Sequence, residues 1–361
     1  MSAADFIPKG YSQDIESGSV SCSAPSNIAI VKYWGKKSGQ LPANPSLSFT
    51  LKNCRTITSI DFSKKPSGSD FTFDLKFDGN AKESFRPKIS QYLARISEFM
   101  PFLKNYDLHI STTNTFPHSS GIASSASGMA AMSMNLMQIE KKLDPTIDDD
   151  HFYKKASFLA RLGSGSACRS IKGGTVVWGK HKDFPESSDL FGTEFTNVHS
   201  NFTDFQDTIL LVDKGQKTIS SSVGHELMHG HPFAAQRFEQ AHTNLSELKT
   251  ILETGDLEKF VSITESEALT LHAMMMTSIP YFILMKPNTL EIINKIWEFR
   301  KNTNFPVCFT LDAGANVHVL YPYSCKTPVL EFIKAELLGW CENGQYICDE
   351  KGSGGQLIID N

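Results

Sequence analysis

The sequence predicts an α+β protein, and three observations carry the prediction. Runs of period-two hydrophobicity alternate irregularly with runs of helical spacing, unlike the regular strand–helix order of a doubly wound parallel sheet. The clearest strand signal is a hairpin, "VCFTLDAGANVHVLYP" at 307–322, whose two alternating runs flank a turn in which Gly and Asn tolerate positive φ. No internal repeat is visible, and 361 residues, 40% of them hydrophobic, suffice for one large domain or two moderate ones.

The elements follow in order. Residues 46–62, "SLSFTLKNCRTITSIDF", alternate in their first half and carry a turn-like "KNC", so they predict a strand pair. At 87–103 the spacing becomes helical, with Ile89, Tyr92, Leu93, Ile96, Phe99 and Met100 on one face. "YDLHIST" at 106–112 predicts a strand, and "GMAAMSMNLMQIEKKL" at 128–143 a helix. The acidic "DDD" suits the N-terminus of a helix over 150–162. "TVVWG" and "DTILLVD" read as strands on either side of a polar junction at 181–208. Helices are predicted over 233–253, 256–275, 288–302 and 328–338, and a final strand at "GQLII".

Bulk properties narrow the function. A net charge of −4 offers no basic face for nucleic acid or an anionic membrane, which leaves a small-molecule substrate as the expectation. The first 22 residues are acidic and lack an apolar core, and runs such as "YFILM" are too short to span a bilayer, so a soluble, cytoplasmic protein is expected. Seven Cys without a C-x-x-C pair read as reduced, mostly buried thiols, and the sequons at Asn201 and Asn244 as chance.

Four segments carry chemistry. In "FPHSSGIASSASG", small residues stand where a helix begins; free N–H groups and the helix dipole attract an anion there, so Gly121, Ser124, Ser125 and Gly128 suggest a phosphate cradle. Close helix packing is the other reading of the same residues. "GSGSACRSIKGG" adds Arg169, a planar fork for carboxylate or phosphate. Lys32 and Lys36 flank an aromatic pair and read either as phosphate-neutralising or as snorkelling surface lysines. Asp312 stands at a strand tip beside Gly314, as a catalytic carboxylate or a turn-former.

Two motifs are decoys. "HELMH" at 225–229 matches the zinc-protease pattern, but Pro232 would end the helix and no third ligand follows at a suitable spacing. "GTVVWGKH" approaches the Walker pattern, yet its middle is strand-like and His181 replaces the final Ser or Thr.

Together, "NIAIVKYWGK", "FPHSSGIASSASG", "GSGSACRS" and "DAGAN" resemble, in order and spacing, the signatures of the mevalonate diphosphate decarboxylases of the GHMP kinase superfamily. The resemblance runs from about Ser21 to Pro322. It implies a GHMP kinase fold: an N-terminal ribosomal-protein-S5-like ATP-binding domain, 1–195, and a C-terminal ferredoxin-like α/β sandwich domain, 196–361, carrying the catalytic Asp. It also implies ATP with Mg²⁺, a homodimer, and phosphorylation of the 3-hydroxyl of mevalonate 5-diphosphate, followed by loss of phosphate and CO₂ to give isopentenyl diphosphate.

Carried over by residue, the resemblance implies that Asp312 engages the 3-hydroxyl, Lys32 stabilises the transferring phosphoryl, and Ser125 orients the γ-phosphate. Arg169 would grip the substrate carboxylate with Ser164 and Ser166 as neighbouring donors. Tyr33, Lys36 and Arg86 would hold the 5-diphosphate, with Asn27 and Ser221 as further polar contacts. Asn114, Ser119, Ser120, Gly121, Ser124 and Ser125 would line the nucleotide site. The chain departs from the family pattern at His118, Ser119 and Ser120, at Ala315 where the family usually has Pro, and at His225 where Met is often seen. The competing readings are a related enzyme acting on mevalonate 5-phosphate, as decarboxylase or 3-kinase, a zinc peptidase through His225 and His229, and a non-catalytic binding protein.

Overall fold

The structure, a computed structural model, describes residues 1–66, 71–117, 122–214 and 221–358. In chain order the N-terminal half contributes strands β1 (Ser17–Val31), β2 (Lys36–Lys37), β3 (Leu41–Pro42), β4 (Ser46–Lys64), β5 (Thr72–Phe77), β6 (Asn80–Ala81), β7 (Tyr106–Asn114), β8 (Thr175–Trp178) and β9 (Thr193–Glu194). Its helices are α1 (Arg86–Ile96), α2 (Ser124–Leu143) and α3 (Asp149–Gly163). The C-terminal half follows with β10 (Gln206–Leu210), α4 (Ser221–Glu226), α5 (Ala234–Thr254), α6 (Leu257–Met276), α7 (Pro287–Thr303), β11 (Cys308–Leu311), β12 (Val317–Tyr321), α8 (Lys326–Phe332), β13 (Tyr346–Glu350) and β14 (Gln356–Ile358).

Among the described residues eight strands form a mixed sheet ordered β14-β1-β4-β7-β5-β6, with β8 and β9 joined along β4. A second, antiparallel sheet runs β11-β12-β10-β13. Apolar faces of α1, α2 and α3 cover the first sheet, burying Tyr92, Leu93, Met134, Leu136, Phe158 and Leu159. A second core at the junction joins Ile28, Ile30 and Phe49 to Leu245, Leu248 and Phe260, so the two halves share apolar contacts. The predicted α+β class is what the chain adopts. No helix among the described residues is long and apolar enough to cross a membrane. Of the seven cysteines, six are buried and Cys348 is exposed.

Two expectations need correction. "SLSFTLKNCRTITSIDF" is one strand, β4, and not a pair. The "KNC" segment bulges without reversing, because the buried carboxylate of Asp349 on β13 accepts from the backbone N–H groups of Lys52 (3.0 Å), Asn53 (2.9 Å) and Cys54 (2.7 Å). With those donors satisfied, β4 continues from pairing β8 to pairing β7. The helix predicted through Met100 ends at Ile96; Phe99 and Met100 still enter the same core from the turn that follows.

Asp349→Ala would strand the three backbone donors of Lys52, Asn53 and Cys54, the last of them buried, and remove a fourth bond, from the N–H of Glu350. The expected cost is about 3 kcal/mol or more, read as a lower denaturant midpoint with an unchanged slope.

Candidate active site

β1 stops pairing at Val31, and the chain leaves the sheet as Lys32-Tyr33-Trp34-Gly35-Lys36. Gly35 has φ +91, and a Cβ there would lie 3.0 Å from the Phe238 ring, so both the turn and the packing require glycine. Asn44 fastens this segment: its amide donates to the carbonyl of Lys32 (2.9 Å), and its carbonyl accepts from the N–H of Trp34 (3.3 Å).

Asp312 follows the last residue of β11, in the turn to β12. Its Oδ1 accepts from Nζ of Lys32 at 3.1 Å, across the two halves of the molecule. The Lys32 side chain is 2% exposed and that of Asp312 28%, so a buried cation stands beside a partly exposed carboxylate. Burial pushes the Lys32 ammonium down from its ordinary range; the charges of Asp312 and Glu267 oppose this, and Arg169 adds to it.

Arg169 lies in the 3₁₀ turn Gly165–Ser170 after α3. It is buried, donates to Ser46 Oγ (2.5 Å) and Asn27 Oδ1 (3.4 Å), and lies 5.8 Å from the Trp178 ring centroid. Asn27 in turn donates to the carbonyl of Ser166 (3.2 Å) and to Ser170 Oγ (2.8 Å). Tyr33 packs on Trp178, with its hydroxyl over Gly165, where a Cβ would come within 3.0 Å. Ser125, exposed in the first turn of α2, has Oγ 3.3 Å from Ser164 Oγ. The structure therefore brings together Asn27, Lys32, Tyr33, Ser164, Ser166, Arg169 and Asp312, with Ser125 joined through Ser164.

Other expected site residues stand differently. Lys36 pairs with Glu226 at 2.9 Å. Asn114 accepts from Thr56 Oγ1 (2.8 Å), which also bonds Ser127 Oγ (2.6 Å), so it sits under the first turn of α2, beside Ser124. Arg86 is engaged locally with Glu83, the carbonyl of Phe73 and the Phe73 ring, and shares no such partner with Tyr33 or Lys36. Ser119, Ser120 and Gly121, with His118, lie outside the described residues. Ser221 opens α4, and its side chain also lies outside them.

The residues expected to meet ATP suit an anion. α2 begins at Ser124 with no side-chain cap on its first turn; the N–H of Ala126 bonds the carbonyl of Ala123 (2.7 Å), and the helix dipole favours an anion at this end. At half-buried Gly128 a Cβ would meet no other atom of the described residues within 4 Å beyond its own helix backbone and chain neighbours.

The "HELMH" segment does not form a two-histidine face, because α4 ends at Glu226. His225 is held between the rings of Tyr33 and Trp34, its Nδ1 accepting from the N–H of Gly35 (2.9 Å), whereas His229 is largely exposed. Among the described residues no three His, Cys, Asp or Glu side chains form a metal-binding group. In "GTVVWGKH", Thr175–Trp178 is strand β8, and His181 Nε2 is bonded to the carbonyl of His242 (3.0 Å).

Sequence reasoning missed Glu267, Arg237 and His272. The Glu267 carboxylate accepts from the backbone N–H of Lys32 (2.8 Å) and from Arg237, and His272 Nε2 bonds the carbonyl of Asp312 (3.1 Å). The available signal was charge and imidazole inside "TESEALTLHAMMM", a run otherwise too apolar for a surface helix.

Two of these rings couple stability to pH. Burial holds the His225 ring near a pKa of about 3, with Lys36 and Arg169 contributing, and the His272 ring near about 4, with Lys32 contributing. Both lie below the unfolded value of 6.5, so below that pH the unfolded chain binds protons that the folded chain refuses. Stability is expected to be full above about pH 6.5 and to fall as pH drops toward 4, by about 1.4 kcal/mol per pH unit per ring. Denaturation midpoints at about pH 7 and 5 measure this, and His225→Met should halve the drop that the two rings cause.

Comparison with known proteins places these features in a family. Residues 24–190 match the model of the diphosphomevalonate decarboxylase-like N-terminal domain, and residues 208–353 that of the mevalonate 5-diphosphate decarboxylase C-terminal domain. The diphosphomevalonate decarboxylase of Ganoderma lucidum is 30% identical over 329 residues, covering 86% of this chain and 80% of its own. The solved mevalonate diphosphate decarboxylase of Staphylococcus aureus superposes with a TM-score of 0.81 at 27% identity, covering 95% of this chain and 98% of that one. A complex described as MDDEF with MVAPP, AMPPCP and magnesium gives 0.81 and 27%, covering 95% and 100%.

Proposed function

The chain belongs to the diphosphomevalonate decarboxylase family, and from that membership we infer that it catalyses the ATP-dependent decarboxylation of mevalonate 5-diphosphate to isopentenyl diphosphate. The observation that carries the inference is the Lys32–Asp312 contact, made by residues 280 apart in sequence with the carboxylate left partly exposed.

In this reading the substrate's 3-hydroxyl lies against Asp312, whose carboxylate takes its proton as the oxygen bonds to the γ-phosphorus of ATP and ADP leaves with the electron pair of the broken P–O bond. Lys32 keeps that carboxylate ionised and offsets charge developing on the transferred group. Arg169 holds the substrate carboxylate, so that the C–C bond lines up with the departing phosphate. Phosphate then leaves with the C–O electron pair, the C–C pair becomes the new double bond, and CO₂ departs. Tyr33 and Lys36 hold the diphosphate end, with Glu226 releasing Lys36 to it. ATP supplies the phosphoryl group, and Mg²⁺ its charge neutralisation; Ser124, Ser125 and the first turn of α2 would hold the phosphates. Asn114, Ser164 and Ser166 complete the polar lining.

The reading includes a nucleotide-binding domain at 1–195, an Asp312-bearing domain at 196–361, a homodimer and a cytoplasmic location. The limits of the two family matches support the division, and magnesium beside AMPPCP in the solved complex supports the metal. Size-exclusion chromatography with light scattering tests the dimer.

The decisive assay compares mevalonate 5-diphosphate with mevalonate 5-phosphate, following ADP, phosphate and CO₂. One CO₂ per ATP from the diphosphate alone is the expected result. ADP without CO₂ would make the protein a kinase, and preference for the monophosphate would reassign the substrate.

A further inference from the structure

Lys32 and Asp312 share a property that their sheets leave unaddressed. Pairing between β1 and β4 ends at Val31, and pairing between β11 and β12 begins and ends at Leu311 and Val317. Each member of the pair therefore stands one residue beyond its last ladder partner. The N–H of Lys32 and the carbonyl of Asp312 are each met by a side chain of one helix, α6, while Asn44 also donates to the Lys32 carbonyl (2.9 Å) and Gly314 N–H to the Asp312 carbonyl (2.7 Å).

Glu267 on α6 accepts from the N–H of Lys32 at 2.8 Å. Glu267 is fully buried and is itself clamped by Arg237 of α5, which donates to both carboxylate oxygens, and by Asn244. Arg237 also donates to the carbonyl of Lys32 (3.1 Å), so the Lys32 residue is gripped at both its N–H and its C=O. Five residues along α6, His272 is 1% exposed, and its Nε2 lies 3.1 Å from the carbonyl oxygen of Asp312. A carbonyl only accepts, so this ring carries its proton on Nε2.

We propose that Glu267 and His272 are positioning residues: α6 sets the distance between the Lys32 ammonium and the Asp312 carboxylate by holding one peptide through each side chain. The proposal rests on the reaction inferred above. The charged groups facing Lys32 are Asp312, Glu267 and Arg169, and those facing His272 are Lys32 and Asp312. A shift in either peptide therefore changes the proton balance of the catalytic pair itself.

The test uses the full-length enzyme and four variants. His272→Leu removes the donor, and His272→Gln restores an N–H. Glu267→Asp keeps the charge but shortens the arm, and Glu267→Gln keeps the length but removes the charge. In His272→Leu and Glu267→Asp, kcat for CO₂ release should fall about 10²-fold, as for a misplacement of about 1 Å. KM for mevalonate 5-diphosphate should stay within about threefold, and the pH–rate profile should shift. His272→Gln should recover to within about tenfold of the parent, and Glu267→Gln should shift the pH–rate profile further than Glu267→Asp does. Wild-type kcat and an unshifted profile in His272→Leu and Glu267→Asp, with only thermal stability lowered, would overturn the proposal. A parent enzyme that releases no CO₂ would instead overturn the reaction.

Should the variants fail to fold, two measurements on the unaltered protein decide. Nitrogen-15 spectra should show His272 neutral with its proton on Nε2 between about pH 6 and 9, and the Lys32 amide should exchange slowly with deuterium. An Nδ1–H ring or a fast-exchanging Lys32 amide sinks it.

Discussion

Asp312→Asn is expected to leave nucleotide binding intact and to lower turnover by about 10²–10⁴-fold, the span a positioned proton acceptor contributes. The amide matches the carboxylate in shape but cannot take the hydroxyl proton. The change also reaches its neighbour. Burial already pulls the Lys32 ammonium down, and the charge of Asp312 is the largest force opposing that pull. Without it, Lys32 loses part of its own charge, so one substitution weakens both the acceptor and the cation. Single-turnover CO₂ release beside a nucleotide titration separates chemistry from binding. Turnover within about tenfold of the parent would deny Asp312 the proton.

Arg169→Lys tests geometry at constant charge. Arg169 is buried, lies over Trp178 and spreads its donors between Ser46 and Asn27, an arrangement that a single ammonium cannot reproduce. The expected loss is about 10²–10³-fold in kcat, comparable to removal of one preorganised donor at a reacting centre. If Arg169 aligns the breaking C–C bond, coupling should suffer as well as rate: ADP should outrun CO₂. Full activity with one CO₂ per ADP would move the carboxylate grip to another residue.

The parts of this molecule legible in its sequence are those whose signal is local. The β11–β12 hairpin declares itself because alternation and a Gly/Asn turn lie within 16 residues, and α5, α6 and α7 fall within a residue or two of their predicted limits. β4 was misread because Lys52-Asn53-Cys54 carries turn chemistry whose actual partner, Asp349, lies 297 residues from Lys52. β1 is not predicted, although Val20, Cys22 and Ala24 alternate with serines; Ser content and Pro25 weigh toward a loop, and the hydroxyls of Ser21 and Ser23 are met on the face away from α2 by distant partners, Ser59 and Arg55.

The site divides in the same way. Lys32, Arg169 and Asp312 are marked by their motifs, and the structure gathers them. Arg86, expected from the resemblance alone, bonds Glu83 and the carbonyl of Phe73 in this structure. Glu267 and His272 read as ordinary helix residues, since what distinguishes them is the peptide each one touches.

The pairing of Ser21–Ser23 with Gln356–Ile358 has a consequence for how the molecule is made. Translation delivers residue 23 long before residue 356, so on the ribosome this side of the first strand offers unpaired amides and carbonyls to any other nascent chain. A polysome producing this protein is thus expected to depend on something shielding that border until the late strand emerges and seals it.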